Sequence, residues 1–328
     1  MTQKPTLLFA HATGLCAETW RALVNELAGK FPVHVFDFRG HGSRGSEPIT
    51  AVGAQRHPSW EDFAASDVLR EAEKISHAPA RNPPVRSLPL PSSAVVGVGH
   101  SMGGAALVKA ELKSPGTFAA LVLFEPILLP RDVPFEDDAT KNVQNPLARR
   151  AKGRRDRWGS RSEAREFLKQ RSMFREWDIL ALEGYLEGGL VDLGDKDGEV
   201  RLACLPESEA LCYQSVGKSV LHELENVRCP VTVIVGSDSY HLDGQAPSPE
   251  LPSSALTTHP MSTCEYFRYM ASLFPHSRFL TAPGGHFFPQ ESGALKQVAA
   301  AIEQAVAEIK DRPREGATRK EQRPRSSL

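Results

Sequence analysis

Two hydrophobic patterns alternate along the chain. Short runs of apolar, β-branched and aromatic residues are bounded by turn residues, which is typical of strands buried on both faces. Between these runs, apolar residues recur every three or four positions, which predicts amphipathic helices. The predicted strands are Thr6–Ala10, Val33–Phe38, Ala94–Val98, Ala119–Phe124, Val231–Val235 and Arg278–Thr281. The predicted helices lie near residues 17–29, 60–75, 102–113, 262–273 and 291–309.

This alternation predicts an α/β fold, with a mostly parallel sheet and helices on both faces. Such sheets bind ligands outside the carboxyl ends of their strands, so residues directly after each strand are the first candidates for chemistry. We expect a main α/β domain from residues 1–130 and 229–310, interrupted by a helical insertion at 131–228 that would lie as a lid over the strand ends. An exposed proline-rich loop is expected at 77–93 and a disordered basic tail at 311–328.

Composition narrows the classes of function. The 328 residues carry a formal net charge of −1, so no overall field points to nucleic acid or a membrane surface as partner. No apolar run approaches the roughly 18 residues needed for membrane insertion. The five cysteines are scattered without metal-ligand spacing, which favours a reduced, cytoplasmic location and no bound metal or cofactor.

The strongest chemical motif is Gly99-His100-Ser101-Met102-Gly103, the one G-x-S-x-G sequence in the chain. It stands between a predicted strand and a predicted helix. In a strand-to-helix elbow the serine has a strained backbone, and the flanking glycines let neighbouring chain segments pass. Ser101 is therefore the candidate nucleophile. The Met102 N–H begins the following helix and is the first candidate donor for an oxyanion hole.

A base and an acid are expected at the ends of later strands. His286, in Gly284-Gly285-His286, follows the last predicted strand and precedes the last predicted helix. The chain order nucleophile, acid, histidine makes His286 the candidate general base. We expect Asp238, just past the fifth predicted strand, to orient the imidazole. Asp243 and Glu125, the latter closing the fourth predicted strand, are the alternatives.

The segment His11-Ala12-Thr13-Gly14 directly follows the first predicted strand. A second oxyanion N–H normally comes from a loop in this place, and we expect Thr13 to supply it, with Ala12 as the alternative. His11 is expected to hold the loop by hydrogen bonds. His11, His100 and Phe287 are also candidate substrate-binding residues because they flank the catalytic candidates.

These residues together resemble the α/β-hydrolase superfamily. The resemblance rests on His11–Gly14, Asp37–Gly42, Gly99–Gly104 and Gly284–His286, which occur in the family's order. The family usually has an antiparallel hairpin before the first of these segments, whereas this chain starts almost at that strand. Parts of the insertion are similar to the lid of a bacterial and fungal subgroup that includes toxin-biosynthesis and peroxisomal lipase-like hydrolases. These parts are Arg154–Trp158, Phe174–Trp177 and Leu202–Ala210.

The resemblance implies a serine hydrolase. Haloalkane dehalogenases and epoxide hydrolases of the same fold use an aspartate at the elbow, so Ser101 argues against both. We expect cleavage of an ester, thioester or lactone of a small-molecule or lipid-like substrate through an acyl-enzyme on Ser101. Acyl transfer, hydrolysis of a C–C bond, and ligand binding with low turnover are the alternatives.

Charge is concentrated in the insertion and at the end of the chain. Residues 149–171 carry ten Lys and Arg against three Asp and Glu, a local balance of +7. This stretch is either a solvated helix face or a surface that steers an anionic substrate. The ending Ser326-Ser327-Leu328 resembles the peroxisomal S-K-L signal but lacks its lysine. A peroxisomal location is therefore only the alternative to the expected cytoplasmic one.

Overall fold

A six-stranded parallel sheet forms the centre of the protein. The computed structural model describes residues 4–49, 60–76, 95–129, 146–194, 198–214, 219–240 and 262–311. Within these ranges the strands are β1 (Thr6–Ala10), β2 (Val33–Val35), β3 (Val95–His100), β4 (Ala120–Phe124), β5 (Arg157–Trp158), β6 (Leu190–Asp192), β7 (Val200–Leu202), β8 (Val231–Gly236) and β9 (Ser277–Ala282). The central sheet has the order β2-β1-β3-β4-β8-β9, and every pairing in it is parallel.

Helices connect these strands, and short 3-10 helices lie at Ala17–Trp20 and Phe288–Gln290. The α-helices are α1 (Arg21–Glu26), α2 (Trp60–Ser76), α3 (Met102–Lys113), α4 (Pro146–Lys152), α5 (Arg161–Lys169), α6 (Ile179–Gly188), α7 (Pro206–Gln214), α8 (Thr263–Ser272) and α9 (Leu295–Asp311). None of these helices is long and apolar enough to cross a membrane. The predicted α/β fold is confirmed, and each predicted strand overlaps an observed one.

Two apolar layers cover the sheet because side chains alternate between its faces along each strand. In β1, Leu7 and Phe9 face a core that includes α1 and α9. Leu8 and Ala10 face the opposite core, which includes α2, α3 and α8. The strands in the middle of the sheet are fully buried, which explains their unbroken apolar runs.

The insertion after β4 contains the expected helices, and short strands that the sequence pattern does not predict. Its described residues hold α4 to α7 and also a small antiparallel sheet in the order β5-β7-β6. These strands are two or three residues long. Strands this short cannot establish a two-residue hydrophobic period, so the sequence pattern did not reveal them. The predicted proline-rich loop at 77–93 lies outside the described residues, and so does the predicted tail of 311–328 except for Asp311, which ends α9.

The insertion is seated against the carboxyl edge of the central sheet. Helix α6 lies on the Ala17–Trp20 helix so closely that a Cβ at Gly184 would come 2.0 Å from the Glu18 carbonyl oxygen. On the other side, Trp177 bridges to Glu291, and the Asp178 N–H donates to the Gln290 carbonyl at 2.8 Å. The insertion therefore contacts the segments that follow both β1 and β9.

Much of the basic charge in the insertion is neutralised within it. Within the part of the chain that the structure describes, ion pairs join four of the ten cations between residues 149 and 171 to carboxylates: Arg154 to Glu209, Arg155 to Glu163, Arg161 to Asp192, and Arg165 to Glu183. The sequence balance of +7 omits the partners at 183, 192 and 209. These pairs reduce the field that this stretch could project toward an anionic substrate.

A buried carboxylate on α2 holds the loop after β2. The Asp67 side chain has no exposed surface, and it accepts hydrogen bonds from Arg39 at 2.6 Å, Arg44 at 3.1 Å and Arg70 at 2.5 Å. Burial by itself raises the pKa of Asp67, but the hydrogen bonds and charges of Arg39 and Arg44 lower it below the usual value overall. Asp67 therefore stabilises the fold as an anion.

We predict that Asp67→Asn lowers the free energy of unfolding at pH 7 by about 3 kcal/mol, because it leaves three arginines around a neutral group. A lowered folded-state pKa contributes stability above the unfolded value of about 3.9, and this contribution is lost as the pH falls through the folded value. The difference between wild type and variant should therefore shrink below about pH 4 in urea titrations.

The matched control is Glu47→Gln, since Glu47 also binds Arg44 but is 47% exposed. Its effect should stay under about 1 kcal/mol because solvent screens an exposed ion pair. Equal effects of the two substitutions at pH 7 would contradict the assigned role of Asp67.

Candidate active site

Ser101 lies in a sharp turn between β3 and α3. Its φ of 54° is unusual for a residue with a side chain. Ser101 directly follows the last residue of β3 and is the N-cap residue of α3. The turn is possible because the flanking residues are glycines: a Cβ at Gly103 would lie 2.1 Å from the Ala10 carbonyl oxygen, and one at Gly99 would lie 2.8 Å from the Gly103 backbone. The structure thus places Ser101 in the strand-to-helix elbow that the motif predicts.

Glu125 occupies the corresponding place on the neighbouring strand. Strands β3 and β4 are paired with His100 beside Phe124, so Ser101 and Glu125 each follow a residue of the same pair. Glu125 has a φ of 41°, and these two are the non-glycine residues with positive φ in the part of the chain that the structure describes. Strained backbone of this kind concentrates at functional sites.

The Glu125 carboxylate is buried and binds the imidazole of His286. Its side chain has no exposed surface, and its Oε2 lies 2.6 Å from His286 Nδ1. Oε2 also accepts from the Ser239 hydroxyl at 2.9 Å, and Oε1 accepts from the Gly236 N–H at 2.8 Å. Three donors compensate the desolvation of this anion and fix its orientation.

Asp238 is not the carboxylate on the imidazole, contrary to prediction, because Glu125 binds His286 Nδ1. It is exposed, its carboxylate accepts from the Ser237 hydroxyl at 3.3 Å, and its N–H donates to the Gly284 carbonyl at 2.9 Å. In the turn after β8 it is Ser239 whose side chain points inward, toward Glu125. The other alternative, Asp243, lies outside the described residues.

The loop carrying His286 is held by the core and by a second carboxylate. His100 lies within hydrogen-bond distance of the His286 carbonyl, Nε2 to O, at 2.8 Å, and the two rings are 4.8 Å apart. Gly284 has a φ of 105°, which favours glycine, and a Cβ there would lie 2.1 Å from Glu291 Oε2. Burial raises the pKa of Glu291, while the Gly285 N–H counteracts that shift. The glycine pair thus lets the loop fold back over Glu291.

The loop after β1, which carries the candidate oxyanion residue Thr13, is held by His11. Its Nδ1 lies 2.8 Å from the Ala12 carbonyl oxygen, and its Nε2 accepts from the Phe38 N–H at 3.2 Å. These contacts require a neutral imidazole with the proton on Nδ1, and burial correspondingly lowers the pKa of His11. Thr13 is half-buried at the turn that follows. Met102 is the first residue of α3, so its N–H has no partner within that helix.

The structure does not support the prediction that His11 and His100 bind substrate. His11 and His100 have no exposed surface, and both spend ring nitrogens on backbone groups of neighbouring loops. They support the site and offer no surface to a ligand. Phe287 is half-buried between the His100 ring at 5.8 Å and the Trp177 ring of the insertion at 6.1 Å, so it keeps its candidacy.

Three supporting residues were missed by sequence reasoning. Ser239 binds Glu125, Glu291 lies under Gly284, and Trp177 meets Phe287 from the insertion. The glycine pair before His286 is a signal that another group approaches the backbone there, but it does not say which one. Among the described residues, no group of three or more His, Cys, Asp and Glu side chains could hold a metal ion.

A comparison with known proteins identifies the family to which the sequence is similar. A family model described as "Alpha/beta hydrolase family" matches residues 7–301. A search of curated proteins with this sequence finds no match.

Solved structures share the fold at low sequence identity. A peroxisomal alpha-beta-hydrolase of Saccharomyces cerevisiae is similar with a TM-score of 0.66 and 18% identity, over 99% of this chain and 81% of that one. An E-2-(acetamidomethylene)succinate hydrolase is similar with a TM-score of 0.62 and 17% identity, over 92% of this chain and 91% of that one. An esterase of Thermogutta terrifontis has a TM-score of 0.57 and 20% identity, with coverage of 94% and 91%.

The tight passage at the elbow gives a structural prediction. Gly103→Ala would drive a Cβ into the Ala10 carbonyl, a backbone atom that cannot move without β1. We expect a loss of about 3 kcal/mol or more in the free energy of unfolding, measured by denaturant titration. Gly293→Ala is the control, because nothing lies within 4 Å of a Cβ there. Equal stability of the two variants would contradict the described packing of α3 on β1.

Proposed function

The chain belongs to the alpha/beta hydrolase family, and from that premise we propose that it is a serine hydrolase acting through an acyl-enzyme on Ser101. His286 is the general base and Glu125 the acid that orients it. The N–H groups of Met102 and Thr13 form the oxyanion hole. The substrate class is an ester, thioester or lactone of a small molecule or lipid-like compound.

The observation that carries this proposal is the buried Glu125–His286 hydrogen bond of 2.6 Å at the strand end next to Ser101. A carboxylate on Nδ1 holds the imidazole in the tautomer whose Nε2 is free of a proton, which is the form that can accept one from a serine hydroxyl. Glu125 sits closer to the nucleophile in chain order than Asp238, but the order nucleophile, acid, histidine is preserved.

The chemistry follows from these positions. His286 Nε2 takes the proton of Ser101 as Oγ attacks the substrate carbonyl, and the developing oxyanion is stabilised by the two backbone N–H groups. The imidazolium then gives its proton to the leaving group, and the C–O or C–S bond breaks to leave the acyl-enzyme. Water attacks this ester by the same route and releases the acid. Glu125 stays ionised throughout and stabilises the imidazolium.

The similar structures and the apolar contacts beside His286 both support the proposed substrate class. One is named as an esterase and another as a thioesterase domain, both of which act on acyl bonds of the proposed class. The rings of Trp177, from the insertion, and Phe287, from the His286 loop, also supply apolar walls beside His286. A cytoplasmic location stays a prediction, and the Ser326–Leu328 ending that would bear on the peroxisome lies outside the described residues.

A fluorophosphonate probe should label wild-type protein at Ser101, because such probes react with an activated serine and not with an ordinary hydroxyl. Peptide mapping by mass spectrometry locates the adduct, and Ser101→Ala should abolish it. Ser239→Ala is a control whose residue lies in the same site but is not the nucleophile. A folded wild-type protein that stays unlabelled would overturn the proposed mechanism.

Turnover of p-nitrophenyl esters of increasing acyl length measures the depth of the acyl pocket. Parallel assays with and without an alcohol or thiol acceptor separate hydrolysis from acyl transfer.

The acid is tested by paired substitutions. Glu125→Gln should lower kcat by about four orders of magnitude, because the neutral amide favours the wrong imidazole tautomer. Asp238→Asn should stay within about threefold of wild type, as expected for an exposed carboxylate that acts only at long range. The reverse ranking of the two variants in steady-state kinetics would restore Asp238 as the acid.

A further inference from the structure

A charged pair from the insertion packs against the proposed oxyanion loop, residues His11–Gly14. Arg154 lies just after α4, and Glu209 lies on α7. The Arg154 guanidinium binds the Glu209 carboxylate and donates to the Tyr185 hydroxyl at 3.1 Å. The two charged side chains are 23% and 10% exposed. Burial lowers the pKa of Arg154, but the neighbouring Tyr185 and Glu209 oxygens raise it more, so the guanidinium keeps its charge.

The carboxylate of this pair touches the oxyanion loop directly. A Cβ at Gly14 would lie 2.8 Å from Glu209 Oε1 and 3.0 Å from its Cδ. Gly14 has a φ of 76° and directly follows Thr13, the proposed second donor. Glu209 therefore fills the space where any other residue at position 14 would carry a side chain.

The strand-to-helix segment before Glu209 reinforces this contact. Burial raises the pKa of the Cys204 thiol, and the backbone of Gly14 partly offsets that rise. One residue earlier, the Ala203 carbonyl oxygen would lie 2.4 Å from a Cβ at Gly45, in the loop after β2. Residues 203–209 thus wedge between the loops that follow β1 and β2.

This position makes the charge of Glu209 matter. An unpaired buried carboxylate against Gly14 would repel the negative charge that develops at the neighbouring oxyanion hole, since such repulsion is strong in a site with little water. Arg154 cancels that charge at its source. The pair can therefore fix the loop without opposing the reaction.

We propose that Arg154 and Glu209 are positioning residues of the oxyanion hole: Glu209 fixes Gly14, and Arg154 neutralises the carboxylate. The inserted segment is then part of the catalytic machinery through its support of Thr13, in addition to any contact with substrate. This inference rests on the proposed function, because it assigns the loop of His11–Gly14 its oxyanion role.

The test compares Arg154→Met with the double variant Arg154→Met/Glu209→Gln. In the single variant kcat for a p-nitrophenyl ester should fall about 30-fold, with KM within about threefold, because only the charged transition state meets the unpaired carboxylate. The inhibition constant of a trifluoromethyl ketone, whose adduct places an oxyanion in the hole, should rise in parallel. Removing the carboxylate charge in the double variant should restore kcat at least about tenfold.

The control pair is Arg165 and Glu183, which joins α5 to α6 within the same insertion. Arg165→Met, alone or with Glu183→Gln, should leave kcat and the inhibition constant within about threefold of wild type. If the Arg154–Glu209 pair were merely structural, Arg154→Met would change kcat and the inhibition constant as little as Arg165→Met does. If Arg154→Met does not fold, Glu209→Gln alone is the second variant, with an expected fall in kcat of about fivefold.

A readout without turnover separates this inference from the proposed function. Backbone amides of residues 11–16 should exchange hydrogen for deuterium faster in Arg154→Met than in Arg165→Met. Equal exchange, wild-type kcat in Arg154→Met, or failure of the second substitution to restore kcat would each overturn the inference. Wild-type protein that no fluorophosphonate labels would instead overturn the proposed function, and the exchange comparison would still report on the loop.

Discussion

The hydrogen bond from His286 Nδ1 to Glu125 is the constraint on which the candidate site depends. It joins the end of β4 to the loop after β9, two strands away across the sheet. Glu125 can reach the imidazole only because its backbone turns into the positive-φ region, and the anion is tolerable there only because Gly236 and Ser239 also donate to it. Glu125 and its few hydrogen-bond donors therefore set the geometry of this bond, hold the strained backbone and compensate the buried charge.

The rest of the molecule keeps this arrangement rigid. The parallel sheet brings the ends of β3, β4 and β9 to one edge. His100, the buried residue before Ser101, lies within hydrogen-bond distance of the His286 carbonyl and so links the two loops. The insertion closes the same edge from outside, through Trp177 on one side and residues 203–209 on the other. Both contacts reach loops that carry candidate catalytic groups.

The fold and half of the site follow from local sequence. The strands are predictable because burial on both faces leaves unbroken apolar runs, and the elbow is predictable because its glycines are demanded by backbone crowding at Ser101. The acid is different. Whether Glu125 or Asp238 faces His286 depends on the φ of one residue at the end of β4 and on the turn of residues 236–239, which no hydrophobic period encodes. The short strands of the insertion escaped prediction for a related reason, since their pairing is tertiary.

Proton NMR of the imidazole Nδ1–H tests the Glu125–His286 bond most directly. A short hydrogen bond to a buried carboxylate shifts such a proton strongly downfield and protects it from exchange. The structure predicts a downfield resonance that is retained in Asp238→Asn and lost or moved upfield in Glu125→Gln, with His286→Gln confirming its assignment. A resonance that survives Glu125→Gln and disappears in Asp238→Asn would contradict the account.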